Sequence, residues 1–381
     1  MAMPAERVCF AKSLLDWYDK NRRILPWRED PAPYHVWLSE IMLQQTRVEA
    51  VKRYYARFLE ILPDIASLAA APEDTYLKLW EGLGYYSRVR NLHKGAVTVM
   101  EQYGGEMPYT AVELQKIPGI GPYTSAAIAS IAFGERVPAV DGNLLRVFAR
   151  LTAYAEDIKS DAAKRKATKF YQEVMDMAAV AADSNPSVAE TGASCTSGRP
   201  VYDRPGDLNQ ALMDLGATVC LPNAAPLCDQ CPLNESCLAH LQGQETDYPV
   251  MPLKKARKEE DLTVFLIHDA ERIALKKRPP KGLLAGLYEF PNAPGHLTEE
   301  EALAYVRSIG FSPLRIKRLT DAKHIFTHKE WHMTGYEILA DELAEFHPDT
   351  ERSPGIFLAE IREIRDIYSV PSAFAAYSSL I

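Results

Sequence analysis

Across residues 5–175 apolar positions recur at spacings of three and four, with few β-branched runs, which predicts a largely helical region. Within it "VWLSEIMLQQTRVEAVKRYYARFLEIL" (36–62) reads as one long helix. "TYLKLWEGLGYYSRVRNLHKGAVTVMEQYGG" (75–105) reads as two helices broken near Gly82 and Gly84. Residues 182–206, rich in Ser, Pro, Gly and Asp and without a period, read as a surface insertion whose composition suits disorder. "DLNQALMDLGATVC" (207–220) returns to a helix that runs into a group of cysteines. After a linker-like stretch the texture changes. "DLTVFLIHDAERIALKKRP" predicts two short strands around a turn at 269–271, "HIFTHKEWHMTGYEILA" a further strand and "TEEEALAYVRSIG" a helix, so the C-terminal third is α+β.

Composition narrows this picture. At 381 residues the chain exceeds the usual size of one core, and 47% hydrophobic with 25% charged residues is ordinary for a globular protein. No apolar run is long enough to span a bilayer. The N-terminal stretch, with Val8, Leu14, Leu15 and Tyr18 interrupted by charges, is amphipathic and not a secretion signal, so an intracellular location is expected, cytoplasm or nucleoid in a bacterium. A net charge of -8 argues weakly against nucleic acid, but screening limits charge effects to ~10 Å, so local patches decide. Arg88, Arg90, His93 and Lys94 form one basic cluster; Lys254, Lys255, Arg257 and Lys258 another; Lys276, Lys277 and Arg278 a third.

Three constellations carry chemistry. "IPGIGPYTSAAIAS" joins two helical patterns through Gly119 and Gly121, a corner whose exposed N–H groups and helix dipole suit a phosphate, or which is simply a glycine-capped hairpin. Asp141 in "VPAVDGNLLRVFARL" stands at a helix start, where Asp is a favoured cap and where the dipole favours its ionised form. Four of the six cysteines, Cys220, Cys228, Cys231 and Cys237, are spaced C-x7-C-x2-C-x5-C, which suits a tetrahedral zinc or a [4Fe–4S] cluster; Cys9 and Cys195 stand apart.

The hairpin followed by Asp141 resembles the helix-hairpin-helix DNA glycosylase superfamily. "LPWR" (25–28), "VWLSEIMLQQTRV" (36–48) and "WEGLGYYSRVRNLH" (80–93) are similar to the MutY adenine DNA glycosylases within it. The resemblance covers most of residues 20–240 and continues past the linker. It implies a mainly α N-terminal part, with a six-helix barrel and an iron–sulfur domain, followed by an α+β Nudix-like domain. The expected division is a catalytic region over 1–245 with its cysteine loop at 220–237, a linker over 246–262 and a recognition domain over 263–381.

By the resemblance, Glu40 protonates adenine at N7; its apolar neighbours Trp37, Leu38, Ile41, Met42 and Leu43 should raise its pKa. Asp141 would stabilise the sugar cation, and Asn143 sits close to it. Related bifunctional enzymes carry a lysine nucleophile where this chain has Tyr123, so a monofunctional enzyme that leaves an abasic site is expected, with Tyr123 positioning Glu40. The adenine must leave the stack; Arg23, Leu25, Trp27 and Gln210 match the positions around it, and Gln45 and Tyr85 match the wedge positions. The resemblance also selects [4Fe–4S] for the cysteines. The family's usual first gap is x6, and the extra residue, in a loop with Pro222 and Pro226, is expected to bulge outward.

"LKKRPPKGLLAGLYEFPN" (275–292) resembles the start of a Nudix-like domain, but the following helix lacks the R-E-x-x-E-E-x-G arrangement, so nucleotide hydrolysis is not expected. In the family this domain reads 8-oxoguanine opposite the adenine. Phe326, Thr327 and His328 match its Phe-Ser-His loop, with a threonine that keeps the hydroxyl. The expected partner is therefore double-stranded DNA with A opposite 8-oxoguanine or G, bound by a monomer. A same-fold alternative is an endonuclease III-like glycosylase for oxidised pyrimidines, disfavoured by Tyr123 and by the C-terminal domain. A catalytically silent iron–sulfur DNA-binding module is the alternative of a different class, disfavoured because Glu40 and Asp141 are both present.

Overall fold

The computed structural model describes residues 4–183, 202–252, 256–269, 271–341, 343, 354–364 and 366–381. Contacts divide the chain into one unit of Met1–Ala70 with Asn91–Leu253 and a second of Ala71–Arg90 with Lys254–Ile381. Cys195 and the central part of the expected insertion lie outside the described residues.

The helices in chain order are α1 (Pro4–Asn21), α2 (Pro26–Glu29), α3 (Pro33–Leu43), α4 (Val48–Ile61), α5 (Ile65–Ala70), α6 (Glu73–Leu79) and α7 (Ser87–Tyr103). They continue as α8 (Ala111–Leu114), α9 (Pro122–Phe133), α10 (Gly142–Leu151), α11 (Asp161–Asp183), α12 (Pro205–Thr218) and α13 (Leu238–Leu241). The break between α6 and α7 falls where Gly82 and Gly84 predicted it. The single helix expected over 36–62 is instead two, because the chain turns at 44–47 with Gln45 at φ 59°. Periodicity is blind to such a turn, since apolar spacing resumes in phase on its far side. Helices also occupy both ends of the expected insertion, as α11 runs to Asp183 and α12 begins at Pro205.

One core of the first unit is built by α1, α10, α11 and α12 around Leu14, Leu15, Tyr18, Val147, Tyr171, Leu212 and Leu215. Beside it α9 packs against α3, α8 and α12, and its run of small residues (Ala126, Ala127, Ala129, Ser130) permits that close approach. The hairpin before α9 depends on one glycine in particular. Gly119 has φ +83°, and a Cβ there would lie 2.8 Å from the Asn91 Cβ.

The second unit holds an eight-stranded sheet. Its strands and helix follow as β1 (Lys258–His268), β2 (Arg272–Lys277), β3 (Tyr288–Glu289), β4 (Asn292–Pro294), α14 (Glu299–Ser308), β5 (Pro313–Arg318), β6 (Ala322–Ile325), β7 (Lys329–Ala340) and β8 (Ile356–Glu360). The main order is β3-β2-β1-β7-β5, with β1 and β7 parallel. β1 is eleven residues long, not short, and starts at Lys258 within the expected linker. Its run Val264–Ile267 is continuously apolar because both faces are covered. Val264 and Leu266 join a core with Phe290, Phe374 and Tyr377; Phe265 and Ile267 join one with Ala302 and Val306 of α14. The single strand expected over "HIFTHKEWHMTGYEILA" is β6 and β7, folded back on each other at 326–328.

Residues 71–90 correct the expected division, which gave them to the helical region. Within the second unit Lys78 Nζ donates to the Tyr368 carbonyl at 3.3 Å, and the Val370 N–H donates to Glu81 Oε1 at 3.2 Å. The acids of α14 serve the helix itself. Thr298 caps it, and Glu301 accepts from the Thr298 N–H at 2.8 Å in a reciprocal capping box.

Gly119→Ala should lower unfolding stability by about 1–2 kcal/mol, because a side chain at positive φ is strained. Gly121→Ala, at φ -88° with open space around the added carbon, should stay within about 0.5 kcal/mol in the same urea titration. Equal losses would refute this account of the corner.

Candidate active site and nucleic-acid interface

A cavity of about 600 Å³ in the first unit is lined by Glu40, Tyr123, Asp141, Asn143, Arg23, Leu25, Trp27, Gln210 and Gln45. Nine residues spread over 188 positions of sequence therefore meet in one place. Glu40 faces it from α3 and is buried, 6% exposed. Tyr123, in the first turn of α9, donates its hydroxyl to Glu40 Oε2 at 2.5 Å. Burial pushes the Glu40 carboxyl up to about 7, aided by the Asp141 charge and opposed by the Tyr123 hydrogen bond and the Arg28 charge.

Asp141 is held differently. It caps α10, its Oδ1 accepting from the N–H groups of Asn143 and Leu144 at 2.8 Å each, and its Oδ2 from Asn143 Nδ2 at 2.7 Å. Burial still raises its pKa above the ordinary value, so the helix start does not dominate as the sequence alone led one to expect; those N–H donors and Arg146 work against the rise. Both acids are thus less acidic than free carboxyls. Asp141 receives three N–H donors and Glu40 a single O–H, so a proton shared by the pair resides on Glu40.

Several residues that shape the site were not assigned from sequence. Asp214, fully buried on α12, takes Arg23 through Nε at 2.6 Å and Arg28 through Nη1 at 2.8 Å and Nη2 at 3.0 Å. One carboxylate thereby holds two cavity-lining guanidiniums. The available signal was its place four residues after Gln210, on the same helical face. Asn209 ties α12 to the segment before Asp141, accepting from the Ala139 N–H at 3.0 Å and donating to Ser130 Oγ at 2.8 Å. From α10, Arg146 donates to Asn143 Oδ1 at 2.9 Å, to the Gly216 carbonyl at 2.7 Å and to the Cys220 carbonyl at 2.8 Å. Gly216 admits this approach, since a Cβ there would lie 2.6 Å from the Asn143 Cβ.

Cys220, Cys228, Cys231 and Cys237 are free thiols lining one cavity with Val147, Leu215 and Leu233. Arg150 donates to Cys220 Sγ at 3.1 Å and to the Leu221 carbonyl at 2.9 Å. Pro222, Asn223, Ala224 and Ala225 are exposed, and the loop closes behind them where the Leu227 N–H donates to the Val219 carbonyl at 2.9 Å. Four of the seven residues in the first gap, 222–225, thus form an outward loop. Among the described residues, Cys228 groups with His240 and Glu245 within 4.8 Å, but no trio of the four cysteine sulfurs is that close. Four thiols around one cavity are a donor set that suits a thiolate-bound metal centre.

In the second unit, the β6–β7 turn carries Phe326 half-buried, its ring centroid 4.8 Å from that of Trp331, with Thr327 and His328 exposed. Tyr85 of the same unit is 49% exposed at φ 48°. Arg88, read from sequence as part of a surface basic cluster, instead donates to the Leu83 and Gly84 carbonyls at 3.0 and 3.1 Å.

The model of the HhH-GPD superfamily base excision DNA repair protein matches residues 38–173, and that of the NUDIX domain matches 263–378. The human adenine DNA glycosylase is 34% identical over 85% of this chain and 66% of its own length; the mouse adenine DNA glycosylase is 34% identical over 89% and 72%. The chain belongs to the adenine DNA glycosylases. Among solved structures, a thermostable thymine-DNA glycosylase covers 62% of the chain and 98% of its own at a TM-score of 0.51 and 24% identity, a likeness of fold. No helix among the described residues is long and apolar enough to cross a membrane.

The raised Glu40 carboxyl gives this family member a pH-dependent stability. Between the ordinary carboxyl value and about 7 the folded state holds a proton that the unfolded state has lost, so stability falls as pH rises through that window. Glu40→Gln removes the group and should be the more stable protein at pH 8, by up to about 3 kcal/mol. The advantage should vanish near pH 4.5. A pH-independent difference in urea midpoints would contradict the burial of this acid.

Proposed function

We propose that this chain is a monofunctional glycosylase that removes adenine opposite 8-oxoguanine or guanine in duplex DNA by base flipping and hydrolysis of the N-glycosidic bond, acting as a monomer inside the cell. The observation that carries the reading is the pairing of Tyr123 with Glu40 in a cavity shared with Asp141. A phenol whose pKa burial raises well above the ordinary value is a hydrogen-bond donor at neutral pH and no amine nucleophile, so no Schiff base forms.

In the proposed reaction the flipped adenine lies among Arg23, Leu25, Trp27 and Gln210. Glu40 gives its proton to N7, and the C1′–N9 bond breaks with its electron pair leaving on the base. Asp141, ionised, stabilises the oxocarbenium-like sugar. Glu40, now a carboxylate, takes a proton from the water that adds at C1′, which leaves an abasic sugar and restores the acid. In the second unit Phe326, Thr327 and His328 read the 8-oxoguanine, while Gln45 and Tyr85 enter the stack; Gly119 and Gly121 meet backbone phosphate.

Cys220, Cys228, Cys231 and Cys237 would hold a [4Fe–4S] cluster. Its contribution is to cross-link the loop that follows α12, with Arg150 donating to the Cys220 sulfur.

The deciding assay is single-turnover base release from duplexes carrying A opposite 8-oxoguanine, G or C, with strand breakage appearing only after alkali. Asp141→Asn should bind the lesion duplex with near wild-type affinity and lose about 10²- to 10³-fold in release, as expected when a group that stabilises transition-state charge is removed. Full turnover by that variant defeats the assignment. Iron measured in the same samples should approach four atoms per chain, and Cys228→Ser should lower both iron content and unfolding midpoint. Stoichiometric zinc instead would reject the cluster.

A further inference from the structure

Tyr85 and Thr327, 242 positions apart in sequence, are brought together inside the second unit, where the Tyr85 hydroxyl and Thr327 Oγ1 lie 2.5 Å apart. Both side chains are otherwise exposed. Two exposed hydroxyls lose little by bonding water instead, so this contact matters for where it holds the ring more than for stability.

The rest of the loop is built toward the same end. Tyr85 has φ 48°, a strained value for a residue with a side chain, and its neighbours hold it there. Arg88 closes the loop through the Leu83 and Gly84 carbonyls, and its guanidinium sits 5.2 Å from the centroid of the Trp80 ring and 5.7 Å from that of Tyr85. Trp80 Nε1 donates to the Gly84 carbonyl at 3.1 Å. On the other side, the Phe326 N–H donates to the Lys329 carbonyl at 2.8 Å, and the Phe326 ring packs between His324 and Trp331, which fixes the turn that presents Thr327. Two rigid loops thus end in one hydroxyl pair. When Tyr85 is the donor, Thr327 keeps its own O–H and a free lone pair for a further partner.

We propose that Thr327 is a positioning residue for Tyr85, so that the turn contacting the lesion and the aromatic ring entering the stack act as one coupled element. This deepens the function proposed above and rests on it. Tyr85→Phe and Thr327→Val each delete one hydroxyl and keep the shape, and neither removes a buried group. Flipping is followed by stopped-flow fluorescence of 2-aminopurine at the target position, opposite 8-oxoguanine and opposite guanine.

Each single variant should slow flipping by about 2- to 10-fold, the worth of one hydrogen bond. The double variant should be no slower than the slower single, because both remove the same contact. Thr327→Ser, which restores the hydroxyl, should return the wild-type rate. Singles without effect, a double variant slowed by the product of the singles, or a serine variant that behaves like valine would each overturn the coupling while leaving the glycosylase intact. A wild-type protein that releases no adenine would instead remove the functional reading, and this inference with it.

Discussion

The site depends on two carboxyl groups that share one cavity and are held by unlike donors. Glu40, in the middle of an apolar helix, receives one phenolic hydrogen bond; Asp141, at the start of another, receives three from N–H groups. Burial raises both, and the Asp141 charge makes ionisation of Glu40 harder still. The difference in donors, with Arg28 beside one and Arg146 beside the other, separates them. An acid and an ionised partner at one pH follow from that asymmetry and need no metal at the reacting carbon.

Holding the asymmetry requires that Asp141 stay aimed, and the buried polar network does this. Asn143 binds Asp141, Arg146 binds Asn143 and the Cys220 carbonyl, and Arg150 binds the Cys220 sulfur. The cysteine loop is thereby continuous with the cap of α10 through hydrogen bonds spaced along one helix. Asp214 does the corresponding work for Arg23 and Arg28, and these two guanidinium partners keep a fully buried carboxylate ionised, its pKa below the ordinary range.

Much of this was legible in sequence, for reasons that differ by residue. Glu40 and Asp141 were singled out through the family resemblance, since an apolar helix face and a helix start alone read equally as a helical glutamate and an ordinary cap. The break between α6 and α7 was announced by its glycines, whereas the turn at Gln45 was not, since no glycine or proline marks it and the apolar phase survives it. Asp214 offered only its place four residues after Gln210, and Arg146 and Asn209 were silent. A charged residue on a helix reads as solvent-facing until its buried partners are known, and those partners lie up to 191 positions away. The division of the chain misled for the same reason. Residues 71–90 look like any other helical stretch, and contacts such as those with Tyr368, Val370 and Thr327 are what group them with the second unit.

Where strain sits is as informative as where order does. Among the described residues, four without a glycine's freedom adopt positive φ, and two of them are Gln45 and Tyr85. Each costs of order 1–3 kcal/mol, so each persists only where its surroundings over-determine it. Gln45 follows a helix buried along nearly its whole length, and Tyr85 follows a loop closed by Trp80 and Arg88. Strain placed on exposed residues and backed by rigid elements does not relax when a duplex arrives. In the proposed function that stiffness is what a wedge residue needs, because a side chain free to turn aside would yield before the base does.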